Sequence, residues 1–252
     1  MNKPFVKQVV LSGVSTITFY NPSHNALPSG LLSNLEKEIN LAANNDAAQV
    51  VVLQSGGDRT FCAGASFNEL INIETEAQGE LFFTGFAKVI NAMRKCPKFI
   101  VCKVQGKAVG GGVGLAAAAD YCLATQYASI KLSELSIGIG PFVIEPAVSR
   151  KIGVGAMSEM TINAKQFYTA QWAEQKGLYA TVFESKRALD NATELLVENL
   201  KTYNPEAMQA MKTVMWAHTS HWDDLLMARA TISGRLVLSA FTKEVLQKYK
   251  TS

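Results

Sequence analysis

Residues 104–120 constrain this chain more than any other stretch. An apolar run at 99–104 reads as a buried strand. It leads into Gly110, Gly111, Gly112 and Gly114, and then into Leu115 and four alanines closed by Asp120. Glycine lets the backbone turn where a side chain would clash and lets a ligand approach bare peptide groups. Alanine is the best helix former, so 115–119 is expected to be helical. The first turn of such a helix has amide hydrogens without internal partners, at the positive end of the helix dipole. Those donors can hold a developing negative charge, and the N–H of Gly111 is the candidate donor. Two other readings stay open on glycine content alone: a turn built only for packing, and a phosphate-binding loop. The dinucleotide pattern G-x-G-x-x-G fails, because Leu115 stands where its third glycine belongs, and the Lys-Ser/Thr pair of a phosphate loop is missing.

The 252 residues, 48% of them hydrophobic, suffice for one large domain or a domain with an appendage. A net charge of +3 with no basic block gives no indication of nucleic-acid binding. No apolar run approaches the ~18–20 residues that cross a bilayer, and no membrane partner is expected. The opening residues lack a secretory pattern, so a cytoplasmic enzyme is the expectation. Cys62, Cys96, Cys102 and Cys122 have no metal-type spacing and read as buried thiols.

Along the chain, residues 5–11 and 14–20 are β-branched and aromatic around Ser12-Gly13, a hairpin signal. A turn-rich loop over 21–28 follows. Ser29 is then the expected cap of a helix carrying Leu31, Leu32, Leu35 and Ile39 at helical spacing. Residues 50–53 read as a short strand, 81–94 as an amphipathic helix, and 120–124 and 129–132 as further strands. Strands alternating with helices predict parallel pairing in an α/β architecture. Helices are expected at 145–153, 156–163 and 170–176, with Gly177 as a stop. Residues 188–203, 205–216 and 221–237 read as helices with no strands between them. The expected division is therefore a core over 1–187 and a helical region over 188–252.

A second junction of small residues, Phe61-Cys62-Ala63-Gly64-Ala65-Ser66, exposes backbone and leaves space for a ligand; tight packing alone would use the same residues. Glu134 sits between apolar neighbours and is followed by Gly138, Gly140 and Pro141. A carboxylate in such surroundings has its pKa raised, which suits proton transfer near neutral pH, whereas a solvent-facing Glu on a strand edge is the plainer alternative. His218 and His221, near Asp223 and Asp224, lack the spacing of a paired helical zinc motif, and no metal is expected. His24 reads as a loop residue, and Cys62, with no histidine near it in sequence, as packing.

Taken in order, these segments resemble the crotonase, or enoyl-CoA hydratase/isomerase, family. Asn21-Pro22-Ser23-His24-Asn25-Ala26-Leu27 is similar to the family's loop ending in Asn-Ala-Leu. Phe61-Cys62-Ala63-Gly64-Ala65 resembles its first oxyanion segment, and 106–120 its second. The resemblance implies a spiral of repeated ββα units with a helical C-terminal trimerisation region, assembled as a homotrimer or a dimer of trimers. It implies an acyl-CoA thioester as ligand and no separate cofactor, coenzyme A being part of the substrate. Carried over, the peptide donors are Ala63 and Gly111 and the acid/base is Glu134. The substrate contacts are Ala26, Gly64, Ala65, Ser66, Gly110, Gly114, Pro141 and Phe241, the last as an aromatic that meets adenine from a neighbouring subunit.

Two departures stand out. Ser66 replaces the Asp of many members, and Gly114 occupies the position of the first of two glutamates used by common hydratases. The segments around Gly114 and Glu134 resemble bacterial hydratases of the methylglutaconyl-CoA type. The expected activity is therefore hydration of an enoyl-CoA by a single glutamate. Isomerisation of a 3-enoyl-CoA and a catalytically silent acyl-CoA-binding subunit are the alternatives.

Overall fold

The computed structural model of the chain describes residues 3–250. The hairpin forms as the sequence predicts. Strand β1 (Phe5–Leu11) pairs antiparallel with β2 (Val14–Tyr20), and Ser12 and Gly13 both take positive φ, as a two-residue turn of this hand requires. From β2 onward the named strands pair in parallel. Strands β3 (Val50–Ser55), β5 (Ile100–Val104), β7 (Tyr121–Thr125) and β9 (Thr181–Phe183) extend a six-stranded sheet in the order β1-β2-β3-β5-β7-β9. Its central strands are apolar at consecutive positions because both faces are covered. Val51 and Leu53 join the main core beneath helices α1 (Ser29–Ala43) and α3 (Glu76–Lys95), while Val50 and Val52 meet Leu189 and Val197 of α7 (Lys186–Leu200).

A second, smaller sheet arises at the ends of the long strands. After β3, β5 and β7 the chain turns a corner into β4 (Thr60–Cys62), β6 (Lys107–Val109) and β8 (Ile130–Lys131), which pair in parallel in that order. A helical segment comes after each short strand: α2 (Phe67–Ile71) and α3 after β4, α4 (Gly111–Ala118) after β6, and a 3₁₀ turn (Glu134–Ile137) with α5 (Glu145–Ile162) after β8. This repeat of long strand, short strand and helix is the ββα spiral that the family resemblance implied.

Some expectations are revised. Pro28, not Ser29, is the N-cap of α1, and the Ser29 amide and hydroxyl instead donate to the Glu69 carboxylate. The two helices expected at 145–153 and 156–163 run together as α5 with a kink at Gly153, where φ is +77°. Helix α4 begins at Gly111, four residues before the alanine-rich part, and every residue in it is buried. Beyond α6 (Ala170–Gln175) and α7 come α8 (Pro205–Met215), α9 (Trp222–Leu236) and α10 (Ala240–Lys250). Helix α9 crosses α3 where Gly79 meets Gly234, with no room for a Cβ at either. Helix α10 lies on α2 and the 3₁₀ turn of its own chain.

Asp120 anchors α8 to this body. Its carboxylate accepts from the Ile100 amide (2.7 Å), Lys212 Nζ (2.8 Å) and Trp216 Nε1 (2.6 Å). The Lys212 and Asp120 side chains are each 3% exposed, and Lys212 also donates to the carbonyls of Met93 and Lys98. A buried pair is tolerable when its remaining hydrogen-bonding capacity is met in this way.

Candidate active site

Parallel strands end on the same edge of a sheet. The C-terminal ends of β4, β6 and β8 therefore deliver Ala63-Gly64-Ala65, Gly110-Gly111 and Ser133-Glu134 to one place. All seven residues, with Pro141, line a single narrow cleft. The rest of the wall is aliphatic and aromatic: Leu70, Phe83 and Phe86 from one side, Ile139, Phe142 and Ile144 from the other.

The two small-residue corners touch. Gly64 has φ +86°, and a Cβ there would lie 2.9 Å from the Val109 carbonyl oxygen and 3.5 Å from the Gly111 nitrogen. Amide bookkeeping then decides which N–H groups face the cleft unpaired. The loop over 21–28 is tied by its asparagines: Asn25 Oδ1 accepts from the Asn21 amide, Asn21 Nδ2 donates to the Ala26 carbonyl, and Asn25 Nδ2 donates to the carbonyls of Gly56 and Thr60. So held, the loop lies beside 63–66 like a short parallel strand. The Ala63 amide donates to the His24 carbonyl (3.1 Å), Leu27 donates to Gly64 O (2.8 Å), and Ser66 donates to Leu27 O (3.2 Å). The Gly64 amide faces Cys62 Sγ at 3.4 Å. This corrects the expectation for Ala63, whose N–H is already engaged. The neighbouring amide of Ala65, and that of Gly111 at the start of α4, have no protein acceptor among the described residues.

Glu134 reaches the same space from the 3₁₀ turn. Although the residue as a whole is partly exposed, its Oε2 is buried with no hydrogen-bond partner among the described residues. Burial pushes the carboxyl up from 4.5 to about 7, opposed in part by a hydrogen bond from its own backbone. Gly110 makes the approach feasible. Its φ is +51°, and a Cβ there would lie 2.7 Å from Glu134 Oε1.

Other expected contacts fall outside the lining. Gly114 lies behind the wall, and a Cβ there would overlap Ile144, 2.8 Å from its Cβ. Ala26 is 9% exposed and held by the Asn21 side chain, and Ser66 is the N-cap of α2. Phe241 is 59% exposed on α10, with its ring against Gly138 of its own chain, 2.7 Å from where a Cβ would stand. Ile144, Phe83 and Phe86 were not singled out from sequence. The helical spacing of the two phenylalanines marked only a core face, and nothing at 144 announces contact with a residue thirty positions earlier. The four cysteines are buried and free, and burial pushes the Cys62 thiol up to about 12, which keeps that thiol protonated at neutral pH. Among the described residues no cluster of His, Cys, Asp and Glu is placed to hold a metal ion.

Comparison with known proteins gives the same context. A family model described as enoyl-CoA hydratase/isomerase matches residues 10–250. The chain is 31% identical over 204 residues to the 2,3-dehydroadipyl-CoA hydratase of Escherichia coli (strain K12), covering 80% of this chain and 78% of that one. It is 28% identical over 220 residues to a peroxisomal Delta(3,5)-Delta(2,4)-dienoyl-CoA isomerase of Arabidopsis thaliana, covering 81% and 77%. The crystal structure of a putative enoyl-CoA hydratase from Mycobacterium avium paratuberculosis K-10 superposes with a TM-score of 0.88 at 25% identity, covering 98% of this chain and 96% of that one. With this match running nearly end to end, and with two glycine-rich corners and a buried glutamate meeting in one cleft, the chain belongs to the enoyl-CoA hydratase/isomerase family.

Proposed function

We propose that the protein is an enoyl-CoA isomerase that moves the double bond of a 3-enoyl-CoA thioester into conjugation. The reading rests on Ile144. Its side chain fills the space beside Gly114, and Glu134 is the only carboxylate among the described residues lining the cleft. Hydration must activate a water and also manage a proton at the α carbon, work that two carboxylates share more readily than one. Isomerisation needs a single group that takes a proton and gives it back.

In this mechanism the ionised Glu134 removes a proton from C2. The electron pair moves onto the thioester oxygen, giving a dienolate held by the amides of Ala65 and Gly111. The neutral Glu134 then returns the same proton at C4, leaving the double bond between C2 and C3. Losing one such amide donor typically raises the barrier by ~3–4 kcal/mol. Ala65 takes the donor role because its amide is spare where that of Ala63 is engaged.

Hydration is the second reading, favoured by the likeness to the dehydroadipyl-CoA hydratase. A silent binding subunit is disfavoured, because an acid left buried and unpaired costs stability with no return unless it reacts. Incubation with 3-hexenoyl-CoA and with crotonyl-CoA separates the three. Isomerisation raises the enoyl-thioester absorbance with the first, hydration lowers it with the second, and a binding subunit changes neither. Loss of crotonyl-CoA absorbance at a rate exceeding the gain from 3-hexenoyl-CoA overturns the isomerase reading.

The homotrimer, or dimer of trimers, belongs to the same proposal. Helix α5 exposes Val154 (71%) and Ile162 (77%), which suits an interface between copies. A monomeric mass in sedimentation at micromolar concentration overturns it.

A further inference from the structure

The chemistry of the acyl end of the cleft goes one step further than the reaction type. Where the thioester oxygen is held by Ala65 and Gly111, the chain beyond it runs among Leu70, Phe83, Phe86, Ile139, Phe142 and Ile144. Among the described residues of the lining, none is Lys, Arg or His. Two hydroxyls are present. That of Ser233 donates to the carbonyl of Arg229 one turn back in its own helix, and Ser133 stands beside Glu134. A cation does lie beyond the wall: Arg229 borders an adjoining hollow that shares Pro141 and Phe142 with the cleft. Its guanidinium is engaged by the Glu145 carboxylate and by the Phe142 carbonyl (3.2 Å). Its charge is therefore already matched on the far side of Phe142.

We infer that the acyl site takes an uncharged hydrocarbon chain and turns away acyl groups that end in a carboxylate. The inference rests on the reading of the cleft as an acyl-thioester site. A terminal carboxylate would leave water for apolar surroundings without a cation to meet it, which is costly for any unpaired ion. It would also share the space with Glu134, and two like charges in one cleft oppose each other's ionisation. The likeness to methylglutaconyl-CoA and 2,3-dehydroadipyl-CoA hydratases, whose acyl groups carry a second carboxylate, points the other way. The lining separates the two.

The test uses thioesters of one length that differ only at the terminus. Hexanoyl-CoA and adipoyl-CoA are titrated calorimetrically against the wild-type protein at pH 8 and pH 5. Hexanoyl-CoA is expected to bind at least about 30-fold more tightly at pH 8, with the ratio narrowing at pH 5 as the adipoyl carboxyl takes a proton. Binding of the two within about threefold at pH 8, or a ratio that does not narrow, overturns the inference. Turnover of 3-hexenoyl-CoA is read separately. Selective binding without isomerisation leaves this inference standing and removes the isomerase. Isomerisation with equal binding does the reverse, and failure of both thioesters to bind overturns both.

Discussion

Asp120 and Glu134 both hide carboxylate oxygens from solvent, and the two are treated in opposite ways. Asp120 receives an ammonium, an indole N–H and a peptide N–H, so each oxygen has a partner. Glu134 has an oxygen with none. Removing an ion from water is recovered only when its lone pairs are filled, so Asp120 binds α8 to the spiral whereas Glu134 sits at a cost to the fold. The comparison separates a carboxylate that holds structure from one held ready for a ligand, and it does so without reference to any relative.

The largest effect expected is on rate. Glu134→Gln should lower isomerisation by about 10³-fold or more, within the range of a lost acid/base, and leave the affinity for hexanoyl-CoA within a few fold. In the wild type, kcat/KM should rise with pH up to about 7 and then level, because the free enzyme must carry an ionised Glu134. Activity undiminished at pH 5 would break the contrast between the two acids.

Stability should answer in the opposite sense. Asp120→Ala should cost about 3–5 kcal/mol in denaturant unfolding, since Lys212 is left charged and buried. Removing Lys212 as well should recover only part, because the Ile100 and Trp216 donors stay unmatched. A loss under 1 kcal/mol would show that the pair does not anchor α8.

Glu134→Gln should stabilise the protein at pH 8 by up to about 3 kcal/mol, with the sign fixed by linkage. The folded carboxyl, at about 7, lies above its unfolded value of 4.5, so the protonated form favours folding. That contribution is full below pH 4.5 and is lost as pH rises through 7. The advantage of the variant should therefore vanish below pH 4.5. An equal gain at all pH values would mean that the charge of Glu134 is not its source.

Much of this was legible in the sequence, and the exceptions have physical causes. The β1–β2 hairpin announces itself by β-branched residues around a turn with a glycine, and β3 by its apolar run. The strands β4, β6 and β9 span three residues each, too few to show a period, and α10 was legible only as part of a helical region over 188–252, without bounds of its own. At the site, the corner at 61–66 was visible because small residues are, but which of its amides is spare was not. That depends on Leu27 and His24 lying alongside, a pairing set by the asparagine side chains of their own loop, Asn21 and Asn25. The missing first glutamate could be read at Gly114. That Ile144 fills its place could not, since the contact joins α4 to the start of α5 across the spiral.

The plug at Ile144 also bears on how the site could change its chemistry over generations. A glutamate at 114 meets the isoleucine head-on, so that step alone is obstructed. Trimming the isoleucine first opens a hole that typically costs about 2–5 kcal/mol. Neither order offers a neutral intermediate, and a two-acid site requires both replacements at once. The one-acid arrangement is thus braced by sterics, like a ratchet whose pawl is a single methyl-bearing side chain.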